Sequence, residues 1–147
     1  MLALLACGLA WPALAEDRPA APSHLEEGAA AFDRGAFATA IESWSRAARA
    51  SEQAGDHGGH VSALVHLGEA YGALGRYRQA VTVLDRALRV AEASGQRAQV
   101  ARVLARLGNV LIATGPPETA EAMLRRAVDM ARESADVALG AAALNDL

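Results

Sequence analysis

The sequence is poor in the residues on which many functional classes depend. It has one cysteine, Cys7, and no lysine, so that all 14 of its basic residues are arginines. A single cysteine excludes an intramolecular disulfide and a thiolate cluster for a metal. Aromatic residues make up 4% of the chain, the formal net charge is −3, and no basic run is present. Nucleic acid is therefore not an expected partner, because its recognition needs a basic surface.

Strand patterns are also missing, whereas helix-forming residues are abundant. No segment alternates apolar and polar side chains over a strand's length, and roughly a quarter of the residues are alanine, the best helix former. With 52% apolar and 21% charged residues, the composition is that of a folded domain. These properties predict an all-α protein.

The first fifteen residues differ in character from the rest. Residues 1–15 contain no charge and are followed at once by Glu16 and Asp17. This apolar run is too short to span a bilayer, but it suits the core of a signal peptide, and residues 13–15 give the small-x-small cleavage pattern. We therefore expect export to the periplasm, cell envelope or exterior, with cleavage after Ala15. The alternative is a buried first helix, although a Trp-Pro pair interrupts it.

Two further features belong to the N-terminal region. Residues 4–7 resemble the lipobox of bacterial lipoproteins, in which the cysteine is acylated. Lipidation of Cys7, which would attach the protein to a membrane, is therefore an alternative to cleavage after Ala15. Without lipidation no membrane association is expected. Residues 16–23 are polar and proline-rich, which predicts a short linker.

The remainder of the chain repeats with a spacing of 40 residues. Trp44, Leu84 and Leu124 share one position of the repeat. Four columns of small residues keep the same spacing without a gap: Gly28, Gly68 and Gly108; Gly35, Gly75 and Gly115; Ala40, Ala80 and Ala120; Ala47, Ala87 and Ala127. The spacing predicts three units, residues 24–56, 57–96 and 97–136, with residues 137–147 as the first helix of an incomplete fourth.

Each unit has the pattern of two amphipathic helices. In the second unit the apolar residues of residues 80–91 recur at helical spacing, with charged residues on the opposite face. Gly75 follows an earlier apolar stripe, where a residue able to take positive φ ends a helix. Pro117 suits the first turn of a helix in the third unit. Gly68, Ala80 and Ala87 are small because the two helices of a unit must cross closely.

At this level of detail the sequence resembles the tetratricopeptide repeat family. The second unit carries the resemblance through Ala63, Leu64, Leu67, Gly68, Tyr71, Gly75, Tyr77, Ala80, Leu84 and Ala87. The usual unit has 34 residues, so the spacing here resembles the 40-residue variety. The resemblance implies a right-handed superhelical solenoid of antiparallel helix hairpins, about seven helices in all, that binds a protein or peptide.

The order of the segments resembles a narrower group. An apolar leader followed by 40-residue repeats is similar to exported bacterial proteins in which such repeats precede a caspase-like CHAT protease domain. The resemblance implies that this chain is the N-terminal part of a larger repeat protein. An alternative function is then to regulate, or to dock substrates for, a C-terminal protease absent from this chain.

Residues for chemistry are few. Asp56, His57 and His60 have a spacing that metal ligands can use, but they fall at a turn between units with no further ligand nearby, and we interpret the two histidines as solvated turn residues. The serines show no nucleophile pattern, and the glycines form no phosphate loop. We expect no enzyme activity, no cofactor and no metal.

The expected site is a surface. In the family that the chain resembles, the first helices of the units line the concave side of the stack. The residues opposite the Leu67 and Gly68 stripe then point into a groove, where they would bind an extended peptide or a partner helix. These candidate residues are Ser62, Val65, His66, Glu69, Arg102, Arg106 and Asn109. The predicted function is a non-enzymatic protein-interaction scaffold.

Overall fold

The computed structural model describes residues 21–133, which form six α-helices joined by short turns and contain no β-strand. The helices are α1 (Ala21–Asp33), α2 (Phe37–Ala54), α3 (His57–Ala73), α4 (Tyr77–Ala93), α5 (Arg97–Ile112) and α6 (Pro117–Glu133). The predicted all-α repeat solenoid is confirmed. The leader in residues 1–15 and the helix predicted within residues 137–147 lie outside the described residues.

The start of the first helix corrects the sequence analysis. Helix α1 begins at Ala21, so the last residues of the predicted linker 16–23 are helical. Pro22 does not prevent this, because a proline in the first turn of a helix removes an N–H group that has no partner within the helix.

The helices pack as a stack of antiparallel hairpins. Each helix contacts the next one along the chain, and the second helices of the three units begin 40 residues apart, at Phe37, Tyr77 and Pro117. Helix α4 shows why they fold this way: Ala80, Leu84 and Ala87 are buried on one face, and arginines lie on the other. None of the helices described combines the length and apolar character needed to cross a membrane.

Four of the turns share one geometry. Gly35, Gly55, Gly75 and Gly95 take φ values of 73°, 69°, 68° and 68°, and so cover the turns within units and between units alike. In each, the residue after the glycine donates its backbone N–H to a carbonyl five residues earlier, as from Arg76 to Tyr71 at 2.8 Å. This bond and the left-handed glycine define the Schellman motif, which ends a helix and reverses the chain.

The turn before α6 departs from this pattern. Gly115 was grouped with Gly35 and Gly75 by spacing, but it is not among the glycines with positive φ. Its N–H donates to the Leu111 carbonyl at 2.7 Å, and the next residue, Pro116, has no N–H with which to complete the motif. A residue before proline also favours extended backbone. Helix α6 then begins at Pro117, as predicted.

The glycine column of the first helices marks their closest approach to the second helices. A Cβ atom added to Gly68 would lie 2.6 Å from Leu84 Cγ, and one added to Gly108 would lie 2.6 Å from Leu124 Cγ. Gly28 meets Trp44 in the same way. The predicted close crossing is therefore present in all three units, and the bulky residue of each second helix fills the space that the glycine leaves.

Candidate partner-binding face

The first helices of the three units line one side of the stack. Helix α1 packs against α3, and α3 packs against α5, whereas within residues 21–133 the backbones of the second helices α2, α4 and α6 lie farther apart. The second helices are joined by long side chains, in the ion pairs of Arg86 with Glu52 and of Arg126 with Glu92. The stack is therefore narrower on the side of α1, α3 and α5, which we call the inner face. The expectation that the first helices lie on the concave side agrees with this arrangement.

All seven candidate residues lie on α3 or α5, and six of them are accessible to solvent. Arg102 and Arg106 are exposed, and Ser62, His66, Glu69 and Asn109 are partly exposed. The side chains of His66, Glu69 and Arg106 retain 42%, 27% and 48% of their accessible surface.

Val65 does not belong to this surface. It is 4% exposed and lies in the hydrophobic core. The reason is the central position of α3, which has helices α1, α2, α4 and α5 around it, so that more of its circumference is buried than a two-helix hairpin requires. Ala105, at the same position of α5, is also buried, at 7%.

A charged cluster joins α3 to α5 on the inner face. Glu69 accepts from His66 Nδ1 at 3.1 Å through one carboxylate oxygen and contacts Arg106 Nε at 2.9 Å through the other. Burial raises the pKa of the Glu69 carboxyl, but the hydrogen bond from His66 and the charge of Arg106 outweigh it, and the pKa lies below its ordinary value. Glu69 is therefore ionised at neutral pH, with both oxygens engaged.

The His66 ring packs against an aromatic side chain of the first unit. It stacks on Trp44 with a centroid separation of 5.0 Å and an interplanar angle of 20°. Trp44 is buried, and its indole N–H donates to the Leu25 carbonyl at 3.1 Å. The repeat spacing grouped Trp44 with Leu84 and Leu124 but did not predict this contact, because nothing in the repeat pattern brings residues 44 and 66 together.

A gradient of charge crosses the inner face, and it includes a residue that the sequence analysis missed. Glu26, His66 and Arg106 occupy the same position in α1, α3 and α5, so that this column changes from acidic through histidine to basic. Glu26 is exposed. The sequence signal was available in the 40-residue spacing, but only the contacts between first helices show that the three residues share a face.

One polar atom of the candidate set is buried without a partner. Asn109 Oδ1 is inaccessible to solvent and accepts no hydrogen bond from the described residues. A buried amide oxygen left in this state costs free energy. Asn109 is thus the candidate residue whose hydrogen-bonding capacity is least satisfied.

Of the two turn histidines expected to be solvated, His57 is exposed and His60 is not. His24 is buried as well. His60 Nδ1 donates to the Ala48 carbonyl at 2.8 Å, and Asp56 caps α3 by accepting from the Gly59 N–H at 2.9 Å. These engagements explain why Asp56, His57 and His60 do not converge as ligands. Within the helices described, no group of three or more histidine, cysteine or acidic residues could hold a metal.

Comparison with known proteins agrees with the geometry. The family model of the tetratricopeptide repeat matches residues 20–93 and residues 61–133, which together span most of the chain. A comparison with curated proteins gives no significant match. The six helices form three stacked hairpins, and a glycine lies at the crossing within each hairpin. Together with the family matches, this shows that the chain belongs to the tetratricopeptide repeat family.

Proposed function

We propose that the chain is a non-enzymatic scaffold that binds a peptide or partner segment across its inner face. Tetratricopeptide repeats are in general protein-interaction modules, and the observation that supports this site is the polar surface shared by α3 and α5 around Glu69. The side chains of this cluster are polar and partly exposed, in contrast to the buried columns of the stack.

The charge gradient suggests how a ligand is oriented. Arg102 and Arg106 on α5 favour an acidic end of the ligand, and Glu26 on α1 favours a basic end. A segment that crosses α1, α3 and α5 in turn would place its basic end beside Glu26 and its acidic end beside Arg106, with its middle beside His66. Complementary charges of this kind fix direction and partner choice more than they add affinity.

A displayed peptide library selected on the protein tests the proposal. The binding of enriched peptides is then compared in two double variants, Arg102→Ala/Arg106→Ala on the inner face and Arg125→Ala/Arg126→Ala on α6. The pairs are matched, because each removes two exposed arginines, one of which bridges two helices: Arg106 bridges to Glu69, and Arg126 to Glu92 at 2.9 Å. We expect at least a tenfold loss for the inner-face pair and little change for the α6 pair.

Trp44 supplies a second readout. The chain has two tryptophans, so that in a Trp11→Phe background the fluorescence reports on Trp44 beside His66. A ligand on the inner face should change this emission. Peptides that bind both double variants equally and leave the emission unchanged would contradict the assignment of the inner face.

The wider context of the chain is also a proposal. We propose export after cleavage at Ala15, which the uncharged run and small-x-small pattern support, and N-terminal sequencing of the exported product should begin at Glu16. The 40-residue spacing supports placement in the 40-residue variety of the repeat, and the order of an apolar leader followed by repeats supports placement in a larger repeat protein. The alternative is docking to a C-terminal CHAT protease, and the reading frame beyond Leu147 distinguishes it, because a protease domain would show catalytic histidine and cysteine.

A further inference from the structure

A second groove lies on the opposite side of the stack, where α2 and α4 flank α3. Its volume is about 330 Å³. Leu64, Leu67, Tyr71 and His60 of α3 contribute to its lining, and the other lining residues come from α2 and α4. The groove exists because the backbones of α2 and α4 stay apart above α3 and are bridged there by side chains, in the ion pair of Arg86 with Glu52. We call it the outer groove.

The charges around the outer groove are mostly positive. It is lined by Arg49, Arg86 and Arg89 against one carboxylate, Glu52, which gives a net charge of +2 on a chain whose total is −3. Glu52 pairs with Arg86 at 2.7 Å. Arg49 and Arg89 are exposed and form no ion pair with any residue between 21 and 133. Asp85, one turn before Arg89 on α4, does not pair with it, although the i, i+4 pairs Glu42–Arg46 and Glu121–Arg125 do form.

The next unit shows that stacking does not require these residues. At the positions 40 residues on, His60 is replaced by Val100 and Tyr71 by Leu111. The charges are replaced as well: the corresponding charged set is Arg89 and Arg126 with Asp85, Glu92 and Asp129, for a net charge of −1. The same framework is thus built with an apolar floor and an acidic rim, so the polar floor and the basic rim of the outer groove have no structural necessity.

The floor can recognise a peptide backbone as well as an apolar side chain. His60 Nδ1 donates to the Ala48 carbonyl, so that in the neutral ring Nε2 is an acceptor. Leu64 and Leu67, which are 2% and 5% exposed, form the apolar bottom of the groove, and the more exposed Tyr71 and Val83 line its walls. A single half-buried tyrosine is a poor stacking platform for bases, which favours a peptide over a nucleic acid.

We propose that the outer groove binds an acidic peptide segment with an apolar residue among its carboxylates. His60 and Tyr71 are eleven residues apart on α3, a rise of roughly 16 Å, which matches about five extended residues. The apolar side chain contacts Leu64 and Leu67, and carboxylates on either side pair with Arg49 and Arg89. This surface is separate from the inner face, so the two proposals stand or fall independently.

The test is fluorescence anisotropy with a labelled pentapeptide that has two acidic residues on each side of a phenylalanine. An otherwise identical peptide with the corresponding amides, and a labelled single-stranded oligonucleotide of matched charge, are the comparison probes. We expect the acidic peptide to bind at least tenfold more tightly than either, and its affinity to fall as salt rises.

Variants locate the binding. Arg49→Glu/Arg89→Glu should weaken it at least tenfold, whereas Arg125→Glu/Arg132→Glu, with the same change in total charge on exposed arginines of α6, should leave it within twofold. Arg49→Lys/Arg89→Lys keeps the charge and should retain most of the affinity. Circular dichroism melting confirms that each variant is folded.

A further variant tests the floor of the outer groove by giving it the residues found at the equivalent positions of the next unit. His60→Val/Tyr71→Leu introduces the residues found at 100 and 111, which the stack already accommodates, and should weaken the acidic peptide severalfold. Equal binding of the acidic and amide peptides, equal losses in the groove and α6 charge reversals, or a preference for the oligonucleotide would each overturn the proposal. Loss of binding in Arg102→Ala/Arg106→Ala instead would assign the peptide to the inner face.

Discussion

Two glycines on one helix should respond in opposite ways to the same substitution. Gly68 and Gly72 both lie in α3, one turn apart, but a Cβ on Gly68 would lie 2.6 Å from Leu84 Cγ, whereas a Cβ on Gly72 would meet nothing within 4 Å. Overpacking in a buried site costs about 1–3 kcal/mol. Replacing glycine by alanine inside a helix also raises the free energy of unfolding by about 0.5–1 kcal/mol, because alanine has the higher helix propensity.

These contributions predict the sign of each change. Gly68→Ala should lower the free energy of unfolding by about 1–2 kcal/mol, and Gly72→Ala, near the end of α3, should raise it by about 0.5 kcal/mol. Urea denaturation followed by far-UV circular dichroism measures both, with the slopes checked for a change in cooperativity, because repeat proteins need not unfold in two states.

A double variant tests the cause. Leu84 is 1% exposed, so Leu84→Ala alone should cost about 2–5 kcal/mol by leaving a cavity. In Gly68→Ala/Leu84→Ala the added methyl meets no leucine, and the combined loss should be smaller than the sum of the two single losses. Additive losses, or a Gly68→Ala protein as stable as the wild type, would show that the close crossing does not explain the glycine column.

Two other predictions concern a turn and the charged cluster. Gly75→Ala should destabilise by about 1 kcal/mol because φ is 68°, although no atom lies within 4 Å of the added Cβ, and an unchanged thermal midpoint would contradict the strain. Glu69→Gln should be less stable than the wild type at neutral pH. Because the pKa of Glu69 is lowered by folding, its contribution is present above the ordinary carboxyl pKa and is lost as the pH falls through the folded value, so that the two melting curves should converge in acid; a constant difference would refute the assignment.

The parts of the fold that the sequence predicts are those set by the repeat. A glycine on the first helix and a bulky residue on the second, such as Gly68 and Leu84, recur in every unit because the two helices of each unit cross in the same way. Residues that serve this packing can be recognised from the 40-residue spacing alone. The first helix of the stack is different, since it has no earlier unit to copy. The sequence analysis therefore began the first unit at residue 24, whereas α1 begins at Ala21.

The errors in the predicted site have a common physical cause. Val65 and His60 were assigned from the pattern of their own helix, but their burial is decided by neighbours from other units. His60 is held by a carbonyl of α2, and Val65 by a helix enclosed on several sides. The contact between Trp44 and His66 also depends on how the hairpins stack, and so does the absence of an ion pair at Arg89 among the described residues. Neither can be predicted from the sequence of one helix.

Comparison between equivalent positions separates packing from recognition in this chain. Where three units carry the same small residue, as at Gly28, Gly68 and Gly108, substitution is limited by a neighbour at a known distance. Where the residue changes sign or polarity between units on an exposed or half-exposed face, packing tolerates several side chains and so does not explain the one present. The inner column at Glu26 and Arg106 and the rim of the outer groove both meet this second condition, on opposite sides of the stack. Because the stack fixes their backbone geometry in advance, a ligand on either side would meet side chains held on rigid helices, and little of its binding free energy would be lost in ordering the protein.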